Sequence, residues 1–169
     1  MTDERVHQVL TDSVNYEFNI GIDLIVLSIL YGVVRYSLQC PGLEAFAHAH
    51  KRGHEFKSRL RDVLEKAGVL IDENGSFRDP ENWKAIVTQR RGNVYSFNLD
   101  SLDVMIIHGL LRIKEMYPGD IQFEFPESYA IVLDRIRAWC ALCFIEMGFT
   151  IDEIMYMETA SSEGGNYGH

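Results

Sequence analysis

Three rhythms of apolar and polar positions run along the chain, and each predicts a different kind of element. The first is a continuous apolar stretch, "LIVLSILYGVV" from Leu24 to Val34, bracketed by Asp23 and Arg35. It predicts a long buried helix from about Ile20 to Gln39, with Thr11, Asp12 or Ser13 as candidate caps ahead of it and Pro41-Gly42 ending it. The second rhythm is helical spacing. Over Leu43 to Ala67 the residues Phe46, Ala49, Gly53, Phe56, Leu60, Val63 and Ala67 fall on steps of three and four and form one seam. On that reading His50, His54, Lys57 and Arg61 share the opposite, solvated face, and Gly68 stops the helix.

The third rhythm is a two-residue alternation, which predicts strands. "NVYSFNL" sets Tyr95, Phe97 and Leu99 against Val94, Ser96 and Asn98, and "IQFEF" (Ile121 to Phe125) alternates in the same way, so the two are expected to share a small sheet. Between the helical patterns, "VLIDENGSFR" places short β-type runs around Asn74-Gly75, a strong hairpin signal. Asp79-Pro80 opens a further helix with cap and first-position proline in their preferred order, ending near Gly92. A helix over 102–116 carries Leu102, Met105, Ile106, Gly109, Leu110, Ile113 and Met116. Another opens at Pro126-Glu127 and runs to Met147 with the stripe Leu133, Ile136, Cys140, Phe144 and Met147. A short amphipathic helix, Ile151 to Thr159, closes the pattern. The fold class expected is therefore mainly α: a single-domain helical bundle over residues 1–160 with a small β-hairpin or short antiparallel sheet, followed by a flexible glycine-rich tail over 161–169.

Composition narrows this picture. At 169 residues and 47% apolar content the chain is long enough for one sizeable core. The start "MTDERVHQVL" has no apolar signal region, and the longest uncharged run is well short of the ~20 residues needed to cross a bilayer, so neither export nor membrane contact is expected. Three cysteines, Cys40, Cys140 and Cys143, all in apolar helical surroundings, suit buried thiols in a reducing cytoplasm rather than a disulfide framework. The net charge is −9, but it is uneven: residues 51–91 carry 10 basic and 7 acidic side chains, whereas 92–169 carry 4 and 12. Overall acidity disfavours non-specific nucleic-acid binding, and screening still allows a local basic contact.

That basic middle contains "AFAHAHKRGHEF", and its chemistry reads in three ways. It can be the polar face of one helix. It can hold a metal, since histidines at i and i+4 bring their ring nitrogens together, although Lys51-Arg52-Gly53 stand where a carboxylate would be expected. Or the helix breaks at Gly53. In that case residues 42–78 resemble a winged helix-turn-helix domain, with Ala49 and Gly53 matching the alanine and the later glycine of such domains and the Asn74-Gly75 hairpin as the wing. The resemblance implies DNA contact by Lys57, Ser58, Arg59 and Arg61 in a major groove.

No phosphate-binding loop, dinucleotide fingerprint or nucleophile elbow is present. Asp100, Asp103 and Glu127 suit helix starts, Asp134 and Glu146 are too far apart on one helix to share an ion, and His108 suits a satisfied, partly buried histidine. The expectation is a non-catalytic regulatory or inhibitory protein that binds another macromolecule, by analogy a mobile-element or phage-type modulator of nucleic-acid machinery. The binding residues expected are His50, Lys51, Arg52, His54, Lys57, Arg59 and Arg61 for one contact and Asp152, Glu153 and Glu158 for another. A protein partner is expected, with DNA through segment 51–61 and a homodimer as further expectations; no cofactor and no metal are expected. The alternatives are a winged-helix-like DNA-binding regulator and a metal-dependent phosphohydrolase.

Overall fold

The computed structural model describes residues 2–39, 47–116 and 126–158, and it is mainly helical with one small antiparallel sheet. Helix α1 (Asp3–Asp12) opens on Thr2, whose hydroxyl accepts from the Arg5 amide at 3.2 Å. Strand β1 (Glu17–Ile22) follows, then helices α2 (Leu24–Leu38), α3 (Ala47–Ala67) and α4 (Pro80–Gln89), strand β2 (Tyr95–Asp100), and helices α5 (Ser101–Met116), α6 (Pro126–Met147) and α7 (151–158).

One boundary differs from the sequence expectation. The apolar helix does not begin at Ile20. Phe18, Ile20 and Ile22 alternate with exposed Glu17, Asn19 and Gly21, and this stretch is β1. Asp23 then caps α2, accepting from the Val26 amide at 2.8 Å, while Thr11 and Asp12 finish α1 and Ser13 follows it as the C-cap. Strand β2 is paired as well. It pairs antiparallel with β1, in the register Phe18 against Leu99 and Ile20 against Phe97. Ile121–Phe125, expected to pair there, lies outside the described residues, as does the 161–169 tail. On the outer face of this pair the Asn19 amide donates to the Asn98 side-chain oxygen at 2.8 Å.

The buried side chains form one cluster to which every helix from α1 to α7 and both strands contribute. Helix α2 is its centre: Leu27, Val33 and Val34 are fully buried, and the helix packs on α3, α5 and α6. Polar groups along α2 are satisfied inside this cluster. The Trp83 indole donates to Ser28 Oγ at 2.8 Å, and the Ser37 hydroxyl donates to the Leu110 carbonyl at 2.7 Å. The α6 stripe is buried as its spacing predicts. On α5 the buried set is wider than the expected stripe and includes Val104, Ile107, His108, Leu111 and Arg112.

Helix α3 is continuous through Gly53, so the helix-turn-helix geometry implied by the resemblance does not form. The glycine serves packing. A Cβ at this position would lie 2.7 Å from Leu38 Cδ2, so its absence lets α2 approach α3 closely. An interior glycine costs a helix about 1 kcal/mol, which the packing of three helices here offsets. The chain reverses later, at Gly68, with φ of 107° and the paired bonds Val69 N to Leu64 O and Gly68 N to Glu65 O. The Asn74-Gly75 reversal is also looser than a two-residue hairpin. Only Gly75 has positive φ, a single Ile71–Phe77 bridge forms, and Asp72 Oδ1 accepts from the Asn74 and Ser76 amides. The Asp72 side chain has taken the organising role that the Asn74-Gly75 pair was expected to hold.

Candidate binding face on helix α3

The seam Gly53, Phe56, Leu60, Leu64 and Ala67 is buried, and it divides the cations of α3 into two flanks with different fates. On one flank stand Arg52 and Arg59. Arg52 donates to Asp100 and Asp103 at 2.8 and 3.0 Å. Those carboxylates also cap the start of α5, where the Asp103 amide donates to Asp100 Oδ1 and the Asp100 amide to Asp103 Oδ2. Arg59 donates to the Asn98 carbonyl at 2.9 Å, with its guanidinium over the Phe97 ring at 5.6 Å. Both arginines therefore clamp α3 to β2 and the α5 cap.

The other flank carries His50, His54, Lys57 and Arg61. It lies beside the seam and not opposite it, and all four side chains are half-buried. Their neighbour is Arg35, from the last turn of α2. Arg35 and Arg61 reach over the 72–76 reversal and donate to the carbonyls of Asn74 and Asp72 at 3.0 and 3.2 Å. Tyr31 donates to the carbonyl of Gly75 at 2.7 Å, and burial pushes its phenol up from the ordinary range. Arg61 also pairs with Glu65.

Lys57 is placed differently. Its ammonium donates no hydrogen bond to any described residue, and burial, then Arg35 and Arg61, push its pKa down from the ordinary lysine value. Above it, the His50 and His54 rings meet with their Nε2 atoms 3.2 Å apart. Burial lowers the His54 pKa, with Lys57 and His50 acting in the same direction. The flank thus concentrates positive charge, on a chain of net charge −9, around an ammonium with no acceptor among the described residues.

The remaining expected residues divide in the same manner. Lys51 and Asp152 are exposed. Glu153 forms a capping box with Thr150 and pairs with Arg5 of α1 at 2.8 Å, which holds its carboxyl down at about 2. Glu158 accepts from His108 and Arg112 of α5, both at 2.7 Å. His108 and Arg112 are 5% exposed, and burial pushes the histidine pKa down. These two acidic residues secure α7 to the core.

The His50–His54 spacing would suit two nitrogens on one ion, but among the described residues no group of three or more metal-ligating side chains converges. Asp134 is exposed and pairs with Arg137. Comparison of the chain with protein-family models, curated proteins and solved structures finds no match. Sequence reasoning missed Arg35 and Tyr31 as members of the α3 flank. They stand on the next helix, and only the packing of α2 on α3 brings them there.

Proposed function

We propose that the protein is a non-catalytic regulator or inhibitor that acts by binding another protein, and that the contact is made by the Lys57 flank of α3. The observation that carries this reading is the half-buried Lys57 ammonium, set among Arg35 and Arg61 with no acceptor among the described residues. A cation so placed is destabilised in the free protein, and a partner carboxylate would satisfy it with a charge-assisted hydrogen bond. The partner is therefore a protein presenting an acidic segment. Duplex DNA is the weaker fit, because, of Lys57, Ser58, Arg59 and Arg61, the side chains expected to meet phosphates and base edges, the two arginines are held in internal contacts. A cytoplasmic setting accords with the free, buried Cys140 and Cys143; no helix among the described residues is long and apolar enough to cross a membrane.

The test is fluorescence anisotropy with a labelled oligo-glutamate peptide and, in parallel, a mixed-sequence duplex, from low to physiological salt. The reading expects salt-sensitive peptide binding that weakens about tenfold or more in Lys57→Gln, the loss of one hydrogen bond to a charged group. Duplex binding in preference to the peptide, or peptide binding unchanged in Lys57→Gln, would overturn it.

A further inference from the structure

Helix α6 is apolar on two opposite faces, and only one of them is used by the core. Leu133, Ile136, Cys140, Phe144 and Met147 are buried, whereas Ile131, Leu142 and Ile145 are 55, 63 and 48% exposed on the other side. With exposed Arg135 and Ala138 these residues follow spacings of four, three, four and three, so they line up as a straight seam along the outer surface. An amphipathic helix at the edge of a bundle carries polar residues on its outward face; a second apolar stripe marks a surface made for contact.

The seam has a symmetry that identifies its occupant. Ile131 and Ile145 lie seven residues either side of Ala138, so an antiparallel copy of the helix crossing at Ala138 sets Ile131 against Ile145 of the second copy at both ends. The small side chain at the centre allows close approach at the crossing. The charged flank agrees. Arg135, at the edge of the seam, and Glu146, which borders that same edge, make no ion pair with a described residue, whereas Asp134 is already paired with Arg137. In the antiparallel arrangement Arg135 and Glu146 of the second copy lie on the same side with an axial offset of about 7.5 Å, from a rise of about 1.5 Å per residue. Each side chain leans toward its own helix N-terminus, hence toward the other across that gap.

We propose that a second copy of this chain covers the outer face of α6, forming a two-fold antiparallel helix pair centred on Ala138. Its closing charge contact is Arg135 to Glu146 of the other copy. The contact is a single helical seam from Ile131 to Ile145, so the dimer is reversible and concentration-dependent. This proposal stands independently of the Lys57 reading.

Sedimentation equilibrium over a wide concentration series tests it, with wild type, Leu142→Glu, Arg135→Glu and the double variant Arg135→Glu/Glu146→Arg. All three positions are exposed, so each variant keeps the fold, which circular dichroism verifies. The wild type is expected to move from monomer to dimer mass as concentration rises. Leu142→Glu should shift that midpoint by tenfold or more, Arg135→Glu by less, and the charge swap should restore part of the loss. Monomer mass throughout, assembly beyond two copies, or a dimer indifferent to Leu142→Glu would overturn the proposal.

Discussion

Removing the Glu158 side chain isolates the contact that fastens α7 to the core. In Glu158→Ala the Arg112 guanidinium, 5% exposed, loses the Glu158 carboxylate, and His108 loses the acceptor 2.7 Å from its Nε2. Breaking one partner from a buried ion pair costs about 3–5 kcal/mol when the remaining charge is sealed from water. Two features lower that figure here. The Glu158 side chain is 40% exposed, so water can enter the vacated space, and Arg112 still donates to the main-chain carbonyl of residue 158. A loss of about 2–3 kcal/mol follows. For a chain of this size it lowers the melting temperature by about 4–12 °C, at roughly 2–4 °C per kcal/mol. Glu158→Gln keeps a carbonyl acceptor and the shape of the side chain, so it should cost about 1 kcal/mol. Calorimetry with urea unfolding of the two variants measures the difference. A melting temperature for Glu158→Ala within about 2 °C of wild type, or a glutamine variant as damaged as the alanine one, would refute the reasoning.

Further expectations come from other parts of the molecule. Gly53→Ala gains helix propensity of about 1 kcal/mol but sets a methyl 2.7 Å from Leu38, so urea denaturation should show net destabilisation of about 1 kcal/mol; a more stable variant would show that α2 does not rest on Gly53. Burial raises the Cys143 thiol to about 11 and pushes that of Cys140 higher still, so both should stay unmodified by a thiol reagent at pH 8 until the chain is unfolded. His108 is held below its ordinary 6.5 by burial, so its contribution to stability is complete above that value and is lost as pH falls through the folded pKa. The Glu153 carboxyl is depressed from 4.5 to about 2, and its contribution is present above 4.5 and lost as pH falls through about 2. Acid titration of Arg5→Gln should lack this lower-pH component.

What the sequence made legible were elements whose local signals agreed with their packing. Asp79-Pro80 starts α4, the α6 stripe is buried as spaced, and the Tyr95–Leu99 alternation is β2. Strand β1 was hidden because Ile20 and Ile22 adjoin the apolar run of α2 and read as its first turn; the strand is defined by pairing with residues almost eighty positions away. Gly53 supports both a turn and a close helix crossing, and only the position of Leu38 decides between them. The cations of α3 are adjacent in sequence, yet the buried seam separates Arg52 and Arg59, which clamp β2 and the α5 cap, from Lys57, which faces Arg35. The His108–Glu158 contact joins residues fifty positions apart, and no local pattern announces it. Single-chain periodicity reports which face is buried, but not which cation meets an acceptor there.

The central claim is that Lys57 is a half-buried cation, without an acceptor among the described residues, that a partner carboxylate would satisfy, and its own titration tests that claim most directly. The side-chain Cε and Nζ resonances of Lys57 can be followed by NMR in the free protein and in the presence of oligo-glutamate. The account predicts a pKa below the ordinary 10.5 in the free protein, a rise toward it in Arg35→Gln, and an upward shift when the peptide binds. A Lys57 that titrates at its ordinary value in the free protein and does not respond to the peptide would contradict it.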